Sequence, residues 1–151
     1  MKERLIYEYF SDDDFLRISN KVKETEKLTA GEIRVSVKDE IHFSEKNKTV
    51  KELAQKEFYK LGMNETRDKT GILIFILLAD KKFYILADSG INDKVEQTVW
   101  DEIRNEMQNQ FKAGNYLDGI LYAIEEIGNI LARFFPIKPD DTNELSNKVV
   151  I

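Results

Sequence analysis

The 151-residue sequence predicts an α/β fold, a three-layer α/β/α sandwich around a small mixed sheet. Three observations carry that expectation. Residues 32–38, Glu-Ile-Arg-Val-Ser-Val-Lys, alternate with period two, as a strand with one buried face does. Residues 72–79 are continuously apolar and rich in β-branched and aromatic side chains, which suits a strand covered on both faces. Between them lies a helical apolar stripe, and after them a second β-rich run begins beyond only three polar residues, so strand, helix, strand and hairpin follow in order.

The elements can be taken in turn. Ser11 followed by Asp12, Asp13 and Asp14 has the form of an N-cap with acids in the first turn, where the helix dipole favours negative charge. Phe15, Ile18 and Val22 repeat at helical spacing, predicting a helix over 12–26, and capping accounts for the aspartate triplet. In the strand at 32–38, Ile33, Val35 and Val37 share one face. Residues 39–48 are polar without a clear period, and His42 is read there as a solvated or hydrogen-bonded loop histidine with no identifiable base or nucleophile partner.

Thr49 and Glu52 stand three apart as a capping box for a helix over 50–61, with Val50, Leu53, Ala54, Phe58 and Leu61 as its buried stripe and Gly62 as its stop. The strand–helix–strand unit makes the first two strands parallel. Asp80, Lys81 and Lys82 then turn the chain into an antiparallel partner over 83–87, ending in Asp88-Ser89-Gly90, a polar ledge directly off a buried strand. Val95, Val99, Trp100, Ile103, Met107 and Phe111 form a helical core stripe stopped at Gly114-Asn115. A last helix runs from 116 or 117 to 135, closed by Pro136 and Pro139. The expected organisation is one domain over 1–137 and a tail over 138–151, polar except for Leu145 and Val149-Val150-Ile151, that is either disordered or docks as an arm.

Composition narrows the function. A chain of this length buries roughly 68–70% of its unfolded surface and needs no staples. With no cysteine and a single histidine, disulfides, thiolate chemistry and multi-histidine metal sites are excluded. The formal net charge of −5 argues against a nucleic-acid partner, which needs a basic face, and favours cations. The N-terminal residues lack the apolar core of a signal peptide, and no apolar run reaches the roughly 20 residues of a membrane span. A soluble cytoplasmic protein is the expectation.

The topology itself gathers polar groups. The start of the first strand, the start of the second and the end of the third share one sheet edge, which brings Glu32, Asp68 and Asp88 to one region, with Asn92 and Asp93 following in the loop. Clustered carboxylates raise one another's pKa unless a cation or a basic residue compensates. Oxygen-only donors suit hard cations, Ca²⁺ or Mg²⁺, so these five residues are the metal candidates; Arg67 and Lys69 are the alternative compensation, through ion pairs. Counting from Asp88 as position 1, Asp93 and Val99 fall where an EF-hand loop requires glycine and glutamate, so any site is assembled from separate loops and weak. At the opposite edge Lys38, Asp39, Glu40, Asp80, Lys81 and Lys82 mix signs as a solvated face does. No glycine-rich phosphate loop and no nucleophile with a base partner can be assembled.

Four segments resemble a known family, the TPM domain, named for a thylakoid lumen protein, a photosystem II assembly protein and a nematode receptor-associated protein. They are Gly31-Glu32-Ile33, residues 67–74 (Arg-Asp-Lys-Thr-Gly-Ile-Leu-Ile), Asp88-Ser89-Gly90-Ile91, and residues 111–120 before the last helix. The tail from Phe135-Pro136 looks like that of a bacterial subgroup without membrane segments. The resemblance implies an α/β/α fold and weak divalent-cation binding, chiefly of calcium, through acidic loop residues that correspond here to Glu32, Asp68 and Asp88, with Asn92 and Asp93 as second choices. The converging acids and the lack of a nucleophile favour a metal-binding module that recognises a partner protein or supports an assembly; the acid phosphatase activity that the resemblance implies for a plant member makes a metal-assisted phosphatase acting on phosphomonoesters the alternative. Many members have a bulky residue and glycine where this chain has Asp88 and Ser89.

Overall fold

A computed structural model describes residues 4–137 and 146–151. Its three-stranded sheet has the order β1 (Glu32–Lys38), β2 (Gly71–Leu77), β3 (Lys82–Ala87). β1 runs parallel to β2 with Glu32 opposite Gly71, and β3 runs antiparallel to β2 with Ile72 opposite Ala87. Every residue of β2 is buried, as its unbroken apolar composition requires for the central strand of a covered sheet.

Two helical layers cover the faces. On one side α2 (Asp12–Glu26), α5 (Gln97–Lys112) and α6 (Tyr116–Phe134) bury Ile18, Val22, Trp100, Ile103, Met107, Ile120, Ile124 and Ile127 against Ile33, Val35, Ile72, Ile74 and Ile76. On the other, α3 (Val50–Lys60) packs Leu53, Ala54 and Phe58 on Leu73, Phe75 and Leu77. This is the predicted three-layer arrangement. Both capping boxes form: Ser11 with Asp14 and Thr49 with Glu52 each exchange side-chain and backbone bonds. Each such cap stabilises its helix by about 1 kcal/mol. Two short helices, α1 (Ile6–Tyr9) and α4 (Ser89–Asn92), stand where sequence periodicity showed none. Among the described residues no helix is long and apolar enough to cross a membrane.

The described end of the chain docks. Val150 donates its N–H to Val35 O at 2.9 Å and accepts from Val37 N–H at 2.8 Å, in a parallel bridge with Ser36. It thereby satisfies outward backbone groups of β1, an edge strand that would otherwise offer them to another chain. The rest of the predicted tail, 138–145, lies outside the described residues. Val150→Pro removes the donor and should cost about 1 kcal/mol, with faster hydrogen exchange at the Val37 amide; unchanged exchange there would show that the bridge does not protect the edge.

Candidate functional site

The ladder puts Glu32, Gly71 and Asp88 on one rung. Glu32 lies opposite Gly71, Glu32 N donates to Thr70 O at 3.0 Å, and Asp88 N donates to Gly71 O at 2.9 Å. The backbones of the first and third candidates therefore flank the start of β2. Their side chains differ in setting. Glu32 is 3% exposed, whereas Asp68 is largely solvated and sits 3.4 Å from the Arg67 guanidinium. That neighbour is one of the two basic residues the sequence offered as compensation. The other, Lys69, has φ +56° and donates its ammonium to Asn64 O.

Asp88 is the best-placed candidate. It ends β3 and caps α4, its Oδ1 accepting from Ser89 N at 2.7 Å, while its Oδ2 is buried without a hydrogen-bond partner. An orphaned carboxylate oxygen is costly and calls for a cation, a proton or water. The loop that follows is pressed onto the segment before β2: a Cβ added at Gly90 would stand 2.4 Å from Asp68 O and 2.5 Å from Lys69 O. Only glycine permits that approach. Asn92 follows in α4 and donates its Nδ2 to Ala87 O at 2.8 Å. Asp68 and Asp93 share the wall of a cleft of about 510 Å³ with Thr70, Gly90 and Lys94. The Lys94 ammonium lies over the Phe135 ring at 5.0 Å.

The structure thus brings Glu32 and Asp88 to one rung, and Asp68 and Asp93 to one cleft beside it. Among the described residues no group of three or more His, Asp or Glu side chains could hold a metal ion. What the chain offers a hard cation is the Asp88 oxygen, the nearby Asp68 and Asp93 carboxylates, and room for water. That fits a largely hydrated ion of the Mg²⁺ or weak Ca²⁺ kind, not a dehydrated cage.

Sequence reasoning passed over Glu26. Burial, and next the charge of Glu32, push its carboxyl up from 4.5 to about 8. The signal was present: Ile18, Val22 and Glu26 follow each other at four-residue spacing on one helical stripe, so the acid continues a buried face. His42 is hydrogen-bonded locally, as a loop histidine was expected to be: its Nδ1 lies 2.8 Å from Ser44 Oγ and accepts from Ser44 N at 3.3 Å. Both residues are exposed, and the contact caps the single turn Phe43–Glu45. At the opposite edge Asp39 binds Arg4 at 3.1 Å and Lys38 binds Glu57 at 3.0 Å, the mixed-sign face that was expected.

A family model labelled TPM phosphatase and described as the TPM domain matches residues 7–130. No curated protein matches. Among solved structures, the BA42 protein of the psychrophilic bacterium Bizionia argentinensis, determined by NMR, is 37% identical over 94% of both chains with a TM-score of 0.85. The N-terminal domain of a P. gingivalis protein is similar at 14% identity, over 84% of this chain and 79% of that one, with a TM-score of 0.68. The N-terminal domain of a Corynebacterium glutamicum protein is similar at 13% identity, over 81% and 74%, with a TM-score of 0.54. The last two likenesses are of fold alone.

Proposed function

The chain belongs to the TPM domain family, and we propose that it works there as a divalent-cation-binding module, taking Ca²⁺ or Mg²⁺ weakly beside Asp88 and serving binding or assembly with a partner protein. The observation that carries this reading is the buried, unpartnered Oδ2 of Asp88 at the end of β3, with the Asp68 and Asp93 carboxylates on the neighbouring cleft. Glu32, on the same rung, adds negative charge from within the fold. Asn92 donates its Nδ2 to Ala87 O, which holds the loop and leaves its Oδ1 as a further oxygen donor for the ion. A bound cation would supply charge compensation for Asp88 and order the loop that Gly90 presses onto Asp68 and Lys69.

Affinity for so open a donor set should be on the order of 10⁻⁴–10⁻³ M. At tenfold excess over Kd, mass action then adds about 1.4 kcal/mol, or about 3–5 °C in Tm for a domain of this size. Asp88→Asn keeps a side-chain oxygen for the cap and removes the charge, so it should abolish the metal-dependent part of Tm while changing the metal-free Tm little. An Asn variant that gains as much from millimolar CaCl₂ or MgCl₂ as the native protein would refute the reading.

The label of the matching family model favours a second reading, a metal-assisted acid phosphatase. A bound cation would supply charge neutralisation at a phosphoryl oxygen; of the chain's own groups, Asp68 and Asp93 stand where they could orient water on the cleft wall. Hydrolysis of a generic phosphomonoester should then fall in Asp88→Ala, and equal rates for native and variant proteins would mark the activity as contamination.

A further inference from the structure

The two edges of the sheet are treated differently. Val150 covers β1, but among the described residues no strand pairs with the outer side of β3. Because Asp88 N bonds Gly71 O, alternation along an antiparallel ladder turns the backbone groups of Lys82, Tyr84 and Leu86 toward β2, and those of Phe83, Ile85 and Ala87 outward. The Ala87 carbonyl is taken by Asn92. The N–H and C=O groups of Phe83 and Ile85 remain facing a groove.

Two cavities adjoin along this edge and share Arg104. One, about 400 Å³, is lined by residues 81–83 with Val50, Gln108 and Phe111; the other, about 540 Å³, is lined by residues 84–87 with Gln55, Val95 and Trp100. The walls of the groove are α3 and α5, and its floor is the β3 edge. Its charge is of one sign: among the described residues Lys51, Lys81, Lys82, Arg104 and Lys112 line it, and no carboxylate does. Among the described residues Arg104 alone of these is held by an acid, Asp101, at 2.5 Å. In a chain of net charge −5 this is a local reversal.

We propose that the β3 groove binds an extended acidic segment of a partner protein, which adds as a strand beside Phe83 and Ile85 and sets its acidic side chains against the lysine-and-arginine rim. Main-chain bonds to an open edge give such complexes their affinity, and alternate side chains give specificity. A second copy of this chain is disfavoured, because edge-to-edge pairing of two β3 strands would bring two basic rims together, and like charges placed face to face across an interface are repulsive. The surface is independent of the cation reading.

The test is a titration of the native protein, in EDTA so that the cation site plays no part, with a blocked peptide of the length of β3 in which glutamate alternates with valine. Saturable shifts and hydrogen-exchange protection at the Phe83 and Ile85 amides are expected. N-methylation of the peptide amides on the register facing β3 should weaken binding by about tenfold or more, while methylation on the other register should not. The lysine-for-glutamate peptide should not bind, and Lys82→Glu, at an exposed position, should weaken the acidic peptide and favour the lysine one. Absence of protection at Phe83 and Ile85, indifference to which register is methylated, or equal binding of the lysine peptide would overturn the proposal. Concentration-dependent protection of those amides without peptide would overturn it in favour of a second copy.

Discussion

Glu26→Gln should stabilise the protein at neutral pH by about 1–3 kcal/mol, and the gain should depend on pH. Burial, with the charge of Glu32 behind it, raises the Glu26 carboxyl from 4.5 to about 8 in the folded chain. Between those values the folded state holds a proton that the unfolded state has released. Folding stability from this group is therefore intact below about pH 4.5, falls as pH rises toward 8, and is level above it. The full shift, from 4.5 to about 8, sets a ceiling of about 5 kcal/mol at 1.36 kcal/mol for each pH unit. Glu26 is only partly buried, so water and relaxation reduce the effect to the smaller range given.

Glutamine carries no charge to bury. Urea denaturation of both proteins at about pH 5 and about pH 8 isolates the group, since other carboxylates cancel in the difference. The variant's advantage should be small at the acid end and largest at the alkaline end. A difference independent of pH would mean that Glu26 titrates as an ordinary surface acid.

Gly90→Ala should be the most damaging small substitution in the loop region, costing about 3 kcal/mol, or roughly 6–12 °C in Tm. The new methyl would stand 2.4 Å and 2.5 Å from two backbone carbonyl oxygens, of Asp68 and Lys69. Backbone oxygens cannot rotate aside as a flexible side chain can, so the loop from Asp88 to Asp93 must lift from the segment before β2. Gly114→Ala is the control: φ is +83° with nothing near the added carbon, so the cost is backbone strain alone, about 1–2 kcal/mol. Because the lifted loop carries Asp88 and Asp93, Gly90→Ala should also lose the cation-dependent gain in Tm. A cost below about 0.5 kcal/mol would show that the loop tolerates a shift the packing forbids.

The fold was legible where local chemistry and periodicity agree. The cap Ser11 with its acids, the capping box at Thr49, and the strict alternation of residues 32–38 specify α2, α3 and β1. The continuous apolar run placed β2 at the centre. The helices α1 and α4 span too few residues to show a period. The docking of Val150 on β1 joins segments more than a hundred residues apart; the apolar end of the tail marked an arm, but its partner strand left no local mark.

The site was legible to the level of the backbone. Strand directions alone place Glu32 and Asp88 at one rung. Side-chain direction was not legible, since Asp68 lies in a loop whose next residue, Lys69, adopts a left-handed φ of +56°, and Asn92 in α4 turns its Nδ2 back to the end of β3. Glu26 was overlooked because the stripe of its helix was followed only through Phe15, Ile18 and Val22, although Glu26 continues it toward the buried Glu32.

The cation reading is tested most directly by backbone amide shifts in a Ca²⁺ titration of the native protein. Saturable shifts in the millimolar range should appear at Asp68, Ser89, Gly90 and Asp93, and should vanish in Asp88→Asn. Shifts scattered over the acidic surface without saturation, or none at those four amides, would contradict a cation site beside Asp88.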